Sequence, residues 1–87
     1  MKERIAAELT RALAPTRLEV VDESHLHAGH AGSRPGGETH FRIHVVAPAF
    51  AGKGRIERHR MIYAALAGEI ADGVHALALN AKAPGEL

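Results

Sequence analysis

The chain has 87 residues, and we expect it to form a single domain over residues 1–87 with one modest core. Its hydrophobic content of 46% argues against disorder, and its formal net charge of +1 is too balanced to indicate nucleic-acid binding by itself. The lack of cysteine excludes disulfides and every zinc site built on protein thiolates. No apolar run is long enough for a signal peptide or a membrane span, so we expect a cytoplasmic protein with no membrane partner.

The first half of the chain predicts one helix and two strands. Residues 2–13 repeat an apolar residue every fourth position, which is typical of an amphipathic helix. The repeated residues are Ile5, Leu9 and Leu13. Residues 17–23 and 39–46 alternate between apolar and polar side chains, which is typical of strands with one buried face. We expect these two strands to pair antiparallel, with Phe41, Ile43 and Val45 turned inward.

The two predicted strands are joined by a histidine-rich loop from Ser24 to Glu38. The stretch ESHLHAGH places His25, His27 and His30 within six positions. From the residues alone this loop is either a metal-binding segment or a polar turn whose imidazoles are solvated.

The second half predicts a turn over residues 49–54, a long helix from Arg55 to just before Gly73, and a third strand over residues 74–80. We expect residues 81–87 to be a frayed end. The apolar stripe of the helix is predicted at Ile56, His59, Tyr63, Leu66 and Ile70. On this stripe His59 would be a core imidazole with both nitrogens hydrogen-bonded.

The element order predicts an α+β domain of one three-stranded sheet, with the helices packed on one face. The long helix acts as a crossover, which makes a parallel placement of the third strand plausible. The chain contains no nucleophilic cysteine, G-x-S-x-G turn, phosphate-binding loop or dinucleotide fingerprint. We therefore do not expect an enzyme.

Four stretches together resemble the signature of the BolA family: VVDESHLH, ETHFRIHVV, FAGKGRIERHRMIYAAL and GVHALAL. The resemblance extends from residue 5 to about residue 84. It implies the αββαβ fold related to the type II KH domain, with a mixed three-stranded sheet, and this agrees with the element order predicted above.

The resemblance also implies two activities. One is partnership with a monothiol glutaredoxin, in which a [2Fe–2S] cluster is shared with the glutaredoxin and glutathione and the isolated protein holds none. The corresponding ligands would be His27 and His75, with His25 and His30 as alternates. Paired imidazole and thiolate ligation is a known way to hold such a cluster. The other activity is DNA binding as a transcriptional regulator.

The start of the long helix is basic and could serve either activity. Four cations fall within eight residues, namely Lys53, Arg55, Arg58 and Arg60. Such clusters are usually solvated, but cations at a helix N-terminus oppose its dipole, and an anionic partner would relieve that cost. DNA phosphate and the carboxylates of glutathione are both suitable anions. A third alternative is a protein-interaction module that binds no metal.

Overall fold

A computed structural model describes residues 1–23, 40–74 and 76–86 of the chain. Within them the elements follow in the order α1 (Lys2–Leu13), β1 (Arg17–Asp22), β2 (His40–Val46), α2 (Arg55–Ala65), α3 (Ala67–Ala71) and β3 (Ala76–Lys82). A single 3₁₀ turn, Pro48–Phe50, lies between β2 and α2. No helix in these three ranges is long and apolar enough to cross a membrane.

The strands form one mixed sheet in the order β1-β2-β3. Strand β1 pairs antiparallel with β2, and Leu18 lies opposite Val45. Strand β3 pairs parallel with β2, and Phe41 lies opposite Leu77. Both the antiparallel pairing and the parallel crossover predicted from the sequence are confirmed, and so is the α+β class.

The core lies between the sheet and the helices, on one face of the sheet. Strand β2 turns Phe41, Ile43 and Val45 into it, while Arg42 on the opposite face is exposed. Helix α1 covers the core with its predicted apolar positions, and Ile5 and Leu9 there are fully buried. The period-two and period-four patterns thus correctly predicted which faces are buried.

The long helix differs from its prediction in two ways. It is interrupted at Leu66, where α2 ends and α3 begins. The predicted apolar stripe is also wrong in its first half, because Ile56 is 70% exposed and Tyr63 is 45% exposed. Ile62, which the prediction left out, is fully buried, and so is Leu66, as predicted.

The misplaced stripe has a simple cause. A second apolar series runs along the same helix at the same spacing of three or four residues, so periodicity alone cannot choose between the two. This second series begins with Ile62 and Ala65, joins the predicted stripe at Leu66 and Ile70, and faces the core. The predicted core role of His59 is likewise wrong, since its side chain is half-buried in the wall of a surface groove.

The C-terminal segment is not frayed, contrary to the prediction. Strand β3 runs two residues beyond its predicted end, and Ala83 after it is 4% exposed. The backbone N–H of Ala47 donates to the carbonyl of Lys82 over 2.9 Å, and Glu86 is tied to Arg58 on α2. Paired backbone groups and a long-range ion pair keep this end of the chain in place.

Candidate functional site

The predicted cluster ligands and their alternates are four histidines in two parts of the chain. His25, His27 and His30 fall within residues 24–39, and these residues and His75 lie outside the described residues. Across the parts of the chain that the structure describes, no group of three or more histidine, aspartate or glutamate side chains is arranged to hold a metal ion.

The residues that flank these histidines lie together at one end of the sheet. The backbone N–H of Glu23 donates to the carbonyl of His40 over 2.9 Å, so the residues on either side of positions 24–39 are adjacent. His40 is in turn opposite Ala76, the residue that follows His75 in the chain. Since neighbouring strands lie about 4.8 Å apart, the end of β1 and the start of β3 are separated by about 10 Å.

A salt bridge fixes this end of the sheet. The Nε of Arg42 on β2 donates to a Glu23 carboxylate oxygen over 2.9 Å, on the face of the sheet opposite the core. The contact holds the last residues of β1 against β2. The ends of the histidine-bearing segment are therefore joined to the sheet by both a backbone and a side-chain contact.

The predicted cationic residues lie beside the opposite end of β3. Three of the four line a groove of about 490 Å³ between the start of α2 and the second half of β3, namely Lys53, Arg55 and Arg58. The fourth, Arg60, is exposed on α2 outside the groove lining. The Nζ of Lys53 pairs with Glu57 at 3.3 Å, whereas Arg55 makes no ion pair with any residue that the structure describes.

Arg58 is bound by the C-terminal segment. Its Nη1 donates to Glu86 Oε1 over 2.6 Å and its Nη2 donates to Glu86 Oε2 over 2.9 Å, which is a two-pronged guanidinium–carboxylate contact. This contact is the main cause that lowers the pKa of the Glu86 carboxyl to about 2, helped by a hydrogen bond from the Ala83 N–H. The Glu86 carboxylate likewise raises the pKa of Arg58.

Sequence reasoning missed three polar residues of the groove: His59, Asn80 and Lys82. Lys82 was assigned to a frayed end, although its position next to a regular alternation of apolar residues could have extended the strand to it. Its inclusion in the groove follows from the parallel pairing of β3 with β2 and the packing of α2 beside β3, neither of which a single sequence fixes.

The two candidate regions are separate. Ala76 marks the histidine end, and Arg58 reaches β3 at the carbonyl of Ala81, five residues farther along the strand. At 3.3 Å per residue this is about 17 Å. A ligand at one end therefore does not contact residues at the other unless it is longer than this.

Comparison with known proteins decides the family. The sequence profile described as BolA-like protein matches residues 9–86. The chain belongs to the BolA family. The resemblance drawn from its four sequence stretches is thus confirmed.

Individual relatives of this BolA domain support the same conclusion. It is 47% identical over 88 residues to the SufE-like protein 1 of Arabidopsis thaliana, covering 97% of this chain and 24% of that protein. It is 48% identical over 80 residues to the DNA-binding transcriptional regulator BolA of Escherichia coli K12, covering 92% of this chain and 72% of that one. The solved BolA domain of SufE1 from Arabidopsis thaliana superposes with a TM-score of 0.89 at 45% identity, over 99% of this chain and 94% of that domain.

The chain thus spans about a quarter of the SufE-like relative and nearly all of that relative's BolA domain.

Proposed function

We propose that this BolA domain is an adaptor that binds a monothiol glutaredoxin in the cytoplasm and completes a shared [2Fe–2S] cluster for iron–sulfur trafficking or iron sensing. The observation that carries the proposal is the convergence of Glu23, His40 and Ala76 at one end of the sheet. These residues border both histidine-bearing positions, and about 10 Å separates the outer strands there. The sixteen residues 24–39 are enough chain to span that gap.

The available donors suit half of such a cluster. The chain offers imidazoles and no thiolate. It can therefore supply ligands to one iron of the cluster, while another molecule supplies sulfur ligands to the second iron. In the proposal His27 and His75 are the ligands, and His25 and His30 are the alternates. When bound, the cluster would supply a centre with a higher reduction potential than one held by four cysteines.

The proposal is tested by reconstitution. We expect the full chain, mixed with a monothiol glutaredoxin, glutathione, ferrous iron and sulfide, to change the visible circular dichroism of the glutaredoxin's own cluster. His27→Ala and His75→Ala should each abolish that change, because each removes one ligand from the same iron. His25→Ala and His30→Ala should leave the spectral change intact. Loss of the change in one of these two variants would identify that histidine as the loop ligand in place of His27.

His44→Ala is the matched control. His44 is a half-buried histidine on β2, opposite Asn80 and therefore remote from the start of β3. It should leave the spectral change intact. If every single loop variant and His75→Ala all give the wild-type spectrum, the ligand assignment is wrong. A complex that forms with no spectral change in the wild-type protein would instead indicate an interaction module that binds no metal.

A second candidate function, DNA binding by a transcriptional regulator, is favoured by the basic groove. Its lining carries four cations, Lys53, Arg55, Arg58 and Lys82, and the Escherichia coli relative is named as a DNA-binding regulator. Contacts of this kind with phosphates would give salt-sensitive association with little sequence preference. Arg55 is the residue to change, because substitution of Arg58 would also release Glu86.

Titration of a duplex at 50 and 150 mM salt tests this candidate. We expect Arg55→Glu to weaken binding at least about tenfold at the lower salt, since it replaces an attractive charge by a repulsive one. Arg11→Glu on α1 makes the same change in net charge away from the groove and should have a much smaller effect. Absence of binding by the wild-type chain at 50 mM salt would remove this candidate.

A further inference from the structure

Contacts within the chain itself hold the guanidinium of Arg58 in place. Its Nε donates to the carbonyl of Lys53 over 2.9 Å, and its Nη1 donates to the carbonyl of Ala81 over 3.1 Å. Its Cζ lies 5.9 Å from the centre of the buried Phe50 ring, which is within cation–π range. Only 12% of the side chain is exposed. These contacts fix the direction in which the remaining donors point.

The group that those donors hold is an oxyanion from the same chain. Both carboxylate oxygens of Glu86 accept from Arg58, and Oε1 also accepts from the backbone N–H of Ala83 over 2.9 Å. A fixed guanidinium fork supplemented by a backbone N–H binds carboxylate and phosphate through the same geometry. The Glu86 carboxylate therefore marks an oxyanion-binding site in the groove.

The positive charge around this site exceeds the amount that balances one carboxylate. Lys82 lies close enough to favour the ionised form of Glu86, and Arg55 lines the same groove without an ion pair to a described residue. If Glu86 moved away, three cations of the groove would lack a carboxylate partner among the described residues, namely Arg55, Arg58 and Lys82, while Lys53 stays paired with Glu57. Such a surplus matches a phosphate group, which carries up to two negative charges, better than a second carboxylate.

The occupying residue can leave without disturbing the core. Glu86 ends a short turn in which Pro84 and Gly85 are exposed, and Gly85 has a φ of +92°. Its own backbone N–H donates to the carbonyl of Ala83 over 3.1 Å. The buried residue of this segment is Ala83, whose position depends on β3 and not on the carboxylate alone. Movement of the turn would expose the guanidinium while the sheet stays intact.

We propose that Glu86 is a built-in occupant of a phosphate-binding site centred on Arg58, and that displacement of its carboxylate opens the site to a phosphate group. This site is independent of the histidine end of the sheet and so goes beyond the cluster-sharing function. The phosphate can come from a small phosphorylated molecule or from a nucleic-acid backbone. Glu86 lowers the affinity for either by competing for the same donors.

Glu86→Gln tests the proposal on the full chain. The amide keeps the size of the side chain and an oxygen that can accept from Ala83, but it removes the charge that competes with phosphate. We expect inorganic phosphate to bind this variant at least about fivefold more tightly than the wild type, because charge-assisted hydrogen bonds are roughly twice as strong as neutral ones. Binding is followed by the ¹⁵N-detected shifts of Arg58 Nε and the Ala83 amide.

Glu3→Gln is the matched control. Glu3 is an exposed carboxylate in the first turn of α1, and its loss changes the net charge by the same amount. It should leave phosphate affinity within about twofold of the wild type, since exposed charges beyond the screening length interact weakly. An equal gain in both variants, or no gain in either, would overturn the proposal.

A double variant tests the role of the guanidinium fork. Arg58→Lys in the Glu86→Gln background keeps a positive charge but removes the two-pronged geometry, so it should abolish the gain. If the double variant kept the full gain in phosphate affinity, the proposal would also be overturned. If the double variant does not fold, the comparison of Glu86→Gln with Glu3→Gln still decides.

A parallel titration with a short duplex identifies the source of the phosphate. A gain for both inorganic phosphate and the duplex supports the site with a nucleic-acid backbone as ligand. A gain for inorganic phosphate alone supports the site with a small phosphorylated ligand, and it separates this proposal from the DNA-binding candidate.

Discussion

At the scale of single residues, Arg58 connects segments that are far apart in the sequence. It contacts the turn before α2 through Lys53, strand β3 through Ala81 and the C-terminal turn through Glu86. Its charge had suggested a solvated or ligand-binding residue, whereas its contacts also make it a structural one. A change at this position therefore affects both the groove and the fold.

The Arg58–Glu86 contact predicts a specific pH dependence of stability. The pKa of Glu86 is about 2 in the folded chain and 4.5 ordinarily, so between these values the unfolded state binds more protons. The stabilisation is fully present above about pH 4.5 and is lost as the pH falls towards 2. The difference in urea midpoint between the wild type and Glu86→Gln should therefore shrink from pH 5.5 to pH 3.

The wild type is compared with Glu86→Gln because all other carboxylates are present in both proteins. Their contributions to the pH dependence of stability therefore cancel. Since Glu86 is 45% exposed, added salt should also reduce the difference at pH 5.5. A difference of equal size at both pH values would contradict the assigned contact.

Ion pairing also explains a buried carboxylate that no sequence pattern indicated. Glu69 on α3 is 5% exposed; the Nε of Arg4 on α1 donates to it over 3.2 Å, and the Nη2 of Arg4 forms an ion pair with it at 3.0 Å. The same Arg4 pairs with Asp72 at 2.9 Å. The guanidinium of Arg4 thus bridges α1 to α3 and the residue that follows it, and only tertiary packing brings these segments together.

At the scale of elements, local patterns predicted the regular segments better than the joins between them. The limits of α1 are those that the apolar repeat predicted, and β1 and β2 are within one residue of theirs. The break at Leu66 and the end of β3 were missed. The local alternation of apolar residues could have extended β3 to Lys82, whereas the apolar repeat continues through Leu66 to Ile70 and does not mark the break there.

The corrected face of α2 predicts opposite outcomes for two isoleucines on the same helix. Ile62→Ala removes a fully buried side chain and should lower the free energy of unfolding by about 2–4 kcal/mol. Ile56→Ala removes a side chain that is 70% exposed and should change it by less than about 0.5 kcal/mol. Urea denaturation of both variants measures the two values.

The apolar stripe predicted from the sequence gives the opposite expectation for Ile56→Ala. If Ile56 belonged to the core, its substitution would cost as much as that of Ile62. Comparable losses for the two variants would show that α2 is rotated relative to the orientation described.

At the scale of the whole molecule, the sheet separates two candidate regions. Both the histidine stretch and the cationic stretch are visible in the sequence, although it did not indicate His59, Asn80 or Lys82 for the groove. It could not predict their relative positions. Those follow from the parallel register of β2 and β3, in which His40 lies opposite Ala76 and Val46 opposite Lys82.

This separation predicts that the two regions act independently. Ala76 and Lys82 are six residues apart on β3, which is about 20 Å, and the screening length at physiological salt is about 8 Å. Lys82→Glu should therefore weaken phosphate binding to the Glu86→Gln protein at least about fivefold while leaving the cluster spectrum with glutaredoxin unchanged. His75→Ala should remove the spectral change and leave phosphate affinity within about twofold. Both measurements are made on each variant at 150 mM salt, and a loss of the cluster spectrum in Lys82→Glu would mean that the groove takes part in forming the glutaredoxin complex.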